Sequence, residues 1–173
     1  MNYRRAFIQN SYLHLIVVSY KRKSIFVDNI ELLRHAFKNA KQFFSFEIIA
    51  ICVLPDHMHV ILNPKNIEEY PKIITSIKYY FSKNYHVGVE TPTYGYVNKI
   101  EKGIFQRRFF EHTITTEEEL NNHINYIHYN PVKHKLVNEV KDWRYSSFHK
   151  FVKQGLYDND WGNADDIKDL DFE

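Results

Sequence analysis

The order of apolar and polar positions along the chain predicts strands that alternate with helices. Runs rich in β-branched and other apolar residues predict strands over residues 14–20, 46–54, 57–64 and 103–115. Apolar positions that recur every three or four residues predict helices over 27–44, 68–85 and 116–130, with a short last helix within 142–157. The chain is therefore expected to be an α+β protein with the element order β-α-β-β-α-β-α-α.

The first six of these elements follow the ferredoxin-like pattern, an antiparallel sheet with two helices on one face. The other face of such a sheet is open to a site or to the C-terminal helices. Two local signals mark helix ends. Asp28 and Glu31 fit a capping box at the start of the first helix. Pro131 is expected to end or kink the third helix.

The length fits a single domain, and charge is distributed unevenly along the chain. Its 173 residues suit one domain, which we expect over residues 1–157, followed by an acidic tail over 158–173. The tail carries seven acids and one lysine, so the formal net charge of +2 conceals a basic body. A polyanion is one partner that such a body fits, although an ordinary solvated surface fits the charge equally well.

Several classes of protein are disfavoured by what the sequence lacks. No apolar run is long enough to span a bilayer, and the basic N-terminus has no long apolar segment typical of a signal peptide. The single cysteine, Cys52, excludes an internal disulfide and a zinc site built from cysteines. We therefore expect a cytoplasmic protein with no membrane partner.

Two histidines stand one residue apart in the strand "HMHVIL". Alternate residues of a strand share a face, so His57 and His59 point to one side and Met58 points to the core. Two imidazoles placed in this way can bind one metal ion. The alternative is a pair of histidines that are only hydrogen-bonded or exposed at a sheet edge.

The third helix offers a hydroxyl and an amide on one side. Tyr126 and Asn130 are four residues apart, so their side chains are neighbours one turn from each other. His123 lies on the same flank, beside an apolar stripe that faces the core. Each residue also has an ordinary alternative: Tyr126 as a half-buried aromatic, Asn130 as a residue at a helix end, and His123 as a packing residue.

These groups suit phosphoryl transfer if the helix packs on the histidine face. A divalent ion held by His57, His59 and Asn130 would polarise a phosphodiester, and Mg²⁺ or Mn²⁺ fits these ligands, with Zn²⁺ as an alternative. The Tyr126 hydroxyl would attack and form a phosphotyrosine, which keeps the energy of the broken bond for later rejoining. His123 is an auxiliary candidate for the group that takes the tyrosine proton.

Four motifs, "VLPDHMHVIL", "FQRRFFEHTI", "YIHYNPVKHKLV" and "DWRYSSF", occur in this order. In this combination the chain, from Tyr3 to Trp161, resembles the REP-associated tyrosine transposases, a branch of the HUH single-tyrosine transposases. The resemblance implies a ferredoxin-like fold, Tyr126 as the nucleophile and Asn130 as the amide ligand. It also implies a metal-dependent endonuclease and strand transferase that acts on hairpin-forming single-stranded DNA through a 5′-phosphotyrosine. Lys135 departs from the glycine that many members have, which puts the turn after Pro131 in doubt.

A DNA partner would explain the clusters of basic residues in the chain. We expect Arg107 and Arg108 to contact phosphates, and Arg4, Arg5 and Lys133 are further candidates, although each could be a solvated charge. A homodimer is compatible with this interpretation.

Two other classes of function remain as alternatives. One is a nucleic-acid-binding module without catalysis, although no run resembles the aromatic RNP1 signature. The other is a metal-dependent hydrolase in which water attacks instead of tyrosine.

Overall fold

A computed structural model describes residues 7–85 and 103–162. Arg4, Arg5 and residues 163–173 of the expected tail lie outside these ranges. The strands are β1 (Tyr12–Val18), β2 (Phe46–Val53), β3 (His57–Pro64) and β4 (Phe110–Ile114). The helices are α1 (Ile30–Ala40), α2 (Tyr70–Asn84), α3 (Glu117–Lys133) and α4 (Phe148–Lys153). No helix in the described ranges is long and apolar enough to cross a membrane.

The four strands form one antiparallel sheet in the order β2-β3-β1-β4. This is the ferredoxin-like arrangement, so the predicted fold is confirmed. β1 and β3 are the central strands, and the turn at Pro55 and Asp56 joins β2 to β3 as the sequence indicates. The register pairs Ile16 of β1 with His59 on one side and with Phe110 on the other.

The two faces of the sheet bury different cores. Met58, Val60 and Leu62 of β3 lie in the larger core with residues of α1 and α2. Ile61 lies in a smaller core on the opposite face, which α3 covers with Ile124 and Ile127. Full burial of each such aliphatic side chain stabilises the fold by about 1.5–3 kcal/mol. The histidine face of β3 is therefore the face on which α3 packs.

The ends of α3 are held by specific hydrogen bonds. The Thr116 side chain accepts from the backbone N–H of Glu119, which caps the N-terminus beside three acidic residues of the first turn. Pro131 was expected to end or kink the helix, and α3 does not end there but continues to Lys133. Proline removes only one backbone donor, and the His134 N–H still bonds to the Asn130 carbonyl across 2.9 Å.

Two other details differ from the sequence predictions. Asn29 is the N-cap of α1, and its side chain makes no capping hydrogen bond. The prediction of a capping box at Asp28 and Glu31 was therefore wrong. The Asn29 amide donates to the Ile25 carbonyl instead. The last strand is shorter than predicted because only residues 110–114 pair continuously with β1. An isolated bridge joins Ser19 to Phe105, so the four residues 106–109 face only two residues of β1 and form a bulge, in which the Gln106 N–H still bonds to the Val18 carbonyl.

Candidate active site

The two histidines of β3 lie side by side beneath α3. Their side chains share a face, as the alternation predicts, and their ring centroids are 5.1 Å apart. His57 is 3% exposed and His59 is fully buried. An imidazole is costly to bury without partners, so the contacts of both rings define the chemistry available here.

His57 is oriented by the residue that precedes it. Its Nδ1 lies 2.6 Å from Oδ1 of Asp56, whose other oxygen accepts from Arg22 at 3.2 Å. Burial alone would raise the pKa of Asp56, but the hydrogen bond with His57 and the charge of Arg22 outweigh it and lower that pKa. A carboxylate partner fixes the N–H of His57 at Nδ1 and leaves Nε2 with a lone pair. That Nε2 is buried and has no hydrogen-bond partner among the described residues.

His59 is oriented by His14, a histidine of β1 that was not predicted as a site residue. The Nε2 of His14 lies 3.2 Å from Nδ1 of His59, and the Nδ1 of His14 lies 2.9 Å from Nδ1 of His123. Burial lowers the pKa of His14 to about 3 and that of His59 well below 6.5. A neutral His14 has one donor and one acceptor nitrogen, so it donates to one neighbour and accepts from the other.

One stripe of α3 lies over the histidine pair. The Tyr126 ring is 5.7 Å from the His59 ring, and the His134 ring, two turns later, is 4.9 Å from the His57 ring. Asn130 lies midway between them on the same stripe. It is fully buried, and neither its Oδ1 nor its Nδ2 has a hydrogen-bond partner within the described ranges.

Lys133 contacts the candidate nucleophile. Its Nζ lies 3.3 Å from the Tyr126 hydroxyl oxygen and 4.9 Å from the centre of the Tyr126 ring. Tyr126 is 1% exposed, so the alternative of a half-buried aromatic does not hold. An ammonium group at this distance stabilises negative charge on the phenol oxygen.

His123 lies further along the same face. It stacks on His112 of β4, with ring centroids 4.9 Å apart, and His112 contacts Glu119. His112 and Glu119 were not found from the sequence. The only local signal was the spacing of one helical turn between Glu119 and His123, and nothing in the β4 sequence marks His112.

The two arginines that were expected to contact DNA lie at the sheet edge. Arg107 and Arg108 are exposed in the bulge of residues 106–109. The Lys78 Nζ donates to the Gln106 carbonyl at 2.6 Å, which holds the bulge against α2. β1 alone separates β4 from β3, so the β4 edge that follows these arginines is about 10 Å from the β3 backbone.

The donor atoms fit a divalent ion. His57 and His59 are held by acceptors or donors at Nδ1, as ligating histidines usually are, and Asn130 supplies a buried amide oxygen without another partner in the described residues. Imidazole and amide ligands of this kind suit Mn²⁺ or Mg²⁺, and Zn²⁺ as well.

Comparison with known proteins gives consistent matches. Residues 7–130 match the family model described as "Transposase IS200 like". A Haemophilus influenzae protein named as a REP-associated tyrosine transposase is 41% identical over 96% of both chains. The REP-associated tyrosine transposase of Escherichia coli strain K12 is 34% identical over 97% of this chain and 93% of its own length.

A solved structure of a REP-associated tyrosine transposase bound to a REP hairpin superposes with a TM-score of 0.81. The two sequences are 33% identical, and the superposition covers 98% of this chain and 94% of the solved chain. The chain therefore belongs to the IS200-like transposase family and, within it, to the REP-associated tyrosine transposases, which are enzymes.

Proposed function

We propose that this protein cleaves and rejoins single-stranded DNA that folds into hairpins, with Tyr126 as the nucleophile. A relative of 33% identity was solved with a REP hairpin, and a repeat hairpin is therefore the substrate class proposed here. The observation that best supports this chemistry is the position of Tyr126, whose ring lies 5.7 Å from His59 while its hydroxyl contacts Lys133.

In the proposed cleavage, the Tyr126 oxygen forms a bond to phosphorus and the bond from phosphorus to the 3′-oxygen breaks. The products are a 5′-phosphotyrosine and a 3′-hydroxyl, which takes up a proton. Lys133 stabilises the charge on the attacking oxygen through the 3.3 Å contact. Attack by a 3′-hydroxyl on the phosphotyrosine reverses the bonds and rejoins the DNA, so no ATP is needed.

His57, His59 and Asn130 would hold a divalent ion, Mg²⁺ or Mn²⁺. When bound, it supplies Lewis-acid polarisation of the scissile phosphate. The residues behind this set have positioning roles. Asp56 keeps the ring of His57 in place, and His14 does the same for His59. Because Tyr126 is 1% exposed, the DNA must displace part of what covers its hydroxyl.

The basic edge of the sheet would carry the DNA backbone. Arg107 and Arg108 are exposed in the bulge beside β1, where phosphates can reach them. Arg4 and Arg5 are further candidates for this role. The proposed catalytic unit is residues 1–157, with residues 158–173 as an acidic tail.

The test is a denaturing gel with labelled hairpin DNA taken from the flanks of the gene, in Mn²⁺ or Mg²⁺. We expect a protein-linked band with the unaltered protein, none with Tyr126→Phe, and none after chelation of the metal. Tyr129→Phe, which removes a hydroxyl from the same helix, is the matched control and should keep the band. DNA retention on a native gel without any covalent band would contradict the proposal and favour a binding module.

A further inference from the structure

We propose that His112, Glu119 and His123 form a second metal site, for a divalent ion of the Zn²⁺ class. Each of the three side chains offers one ligand atom, and these atoms all lie within 4.8 Å of one another. His112 comes from β4, whereas Glu119 and His123 are one turn apart on α3. The site shares no ligand with the candidate active site, and His14 lies between the two, in contact with both His123 and His59.

The three side chains are already oriented by hydrogen bonds. Glu119 accepts from the Thr115 backbone N–H at 3.0 Å through one oxygen, and its other oxygen lies 2.6 Å from Nε2 of His112. The Nδ1 of His123 is held by His14 at 2.9 Å. Thr115 and His14 lie outside the ligand set and reduce the side-chain freedom that is lost when an ion binds, whereas the ion would replace the direct contact between His112 and Glu119.

The protonation states also suit metal binding. Burial, followed by the nearby His112, lowers the pKa of His123 to about 4, so its imidazole is neutral at neutral pH. The hydrogen bond with His112 lowers the pKa of Glu119, so its carboxyl group is ionised. Metal ligands must be in these deprotonated forms before they can coordinate an ion.

The donor set indicates the kind of ion. Two imidazoles and one carboxylate are the ligands of zinc sites that keep a fourth position open. The side chains of His112 and Glu119 are 41% and 32% exposed, so an ion can enter from solvent and keep a water or a phosphate oxygen as its fourth ligand. The candidate active site contains an amide oxygen in place of the carboxylate, and a second site of different charge is expected to select ions differently.

The test uses Co²⁺, which replaces Zn²⁺ and gives a visible spectrum that reports its ligands. The double variant His57→Ala/His59→Ala removes the candidate active site, so any bound Co²⁺ must lie elsewhere. We expect this protein to bind one Co²⁺ per chain after chelator is dialysed away. Adding Glu119→Gln, which can still accept from Thr115, is expected to weaken that binding by about tenfold or more. Adding His112→Asn should have the same effect.

Glu118→Gln is the matched control, because Glu118 is exposed in the same first turn of α3, and it should leave Co²⁺ binding unchanged. The proposal is overturned if the folded double variant binds no Co²⁺. It is also overturned if neither Glu119→Gln nor His112→Asn weakens the binding. The measurement involves no DNA, so its result is independent of whether Tyr126 forms a covalent adduct.

Discussion

The Nε2 of His14 lies 3.2 Å from the Nδ1 of His59, and both side chains are fully buried. The pair joins adjacent strands, β1 and β3, on the face that α3 covers. This contact aims the remaining nitrogen of His59 away from His14. The orientation of a candidate metal ligand therefore depends on a residue 45 positions earlier in the chain.

Replacing His14 with leucine should weaken Mn²⁺ binding. Loss of the hydrogen bond frees the His59 ring, and changes of this kind typically reduce metal affinity by about 10–100-fold. His128→Leu is the control, because His128 is also fully buried but contacts Ser147 at 2.8 Å. Calorimetric titration with Mn²⁺ measures both variants. An equal loss in both would show that the effect is general destabilisation.

Asn130→Leu should separate stability from metal binding. Neither polar atom of Asn130 has a hydrogen-bond partner among the described residues, and an unsatisfied buried group costs about 1–3 kcal/mol. In chelator, we expect the free energy of unfolding to stay the same or increase, while Mn²⁺ affinity is lost. Urea unfolding and metal titration measure the two effects.

Asn125→Leu is the comparison for that experiment. The Asn125 side chain accepts a hydrogen bond from the Tyr157 hydroxyl, so its loss should lower the free energy of unfolding by about 1 kcal/mol. Clear destabilisation by Asn130→Leu in chelator would indicate that Asn130 has a structural role instead.

Lys133→Met should slow the formation of the covalent adduct. Its Nζ is the cationic group beside the Tyr126 hydroxyl, and removal of one such stabilising donor costs about 100-fold in rate. Single-turnover gels measure the rate. Lys135→Met removes an exposed charge two residues later. It should change only the affinity for DNA, because a lysine that contacts phosphates adds to binding in a salt-dependent way. Similar rates for the two variants would place Lys133 among the DNA contacts only.

Lys135→Gly should stabilise the protein. Lys135 has φ of 57°, in the left-handed region, where it closes α3 through hydrogen bonds from Lys135 N–H to Val132 and from Leu136 N–H to Pro131. Relief of the side-chain strain, partly offset by the greater freedom of glycine in the unfolded chain, should raise the free energy of unfolding by about 0.5–1 kcal/mol. Lys135→Ala keeps the strained Cβ and should give no such gain in urea unfolding.

Acid should destabilise the metal-free protein between about pH 6.5 and 4. Burial lowers the pKa of His14 and His128 to about 3 and that of His123 to about 4, whereas each is 6.5 when unfolded. The unfolded chain therefore binds more protons in this range, so stability falls as the pH falls. His128→Leu should reduce the slope by about 1.4 kcal/mol per pH unit. An unchanged slope in urea unfolding would show that His128 is charged in the folded protein.

The local features of the site could be predicted from the sequence. Strand alternation places His57 and His59 on one face, and helical spacing places Tyr126 and Asn130 on one stripe. Both follow from backbone periodicity, which depends only on neighbouring residues. The strand order followed from the order of the elements, because few topologies satisfy it.

The residues that contact these groups from distant parts of the chain depend on how the strands and helices pack together. His14 contacts His59 and His123 because of the register in which β1 pairs with β3 and β4. A slip of one residue would turn the His14 side chain to the opposite face of the sheet. The contact of Lys133 with Tyr126 likewise needs α3 to continue past Pro131, which a local rule did not anticipate. Local periodicity therefore set the face and spacing of the reactive groups. Packing between elements far apart in the chain decided what orients them, because register and helix docking are set by the whole core.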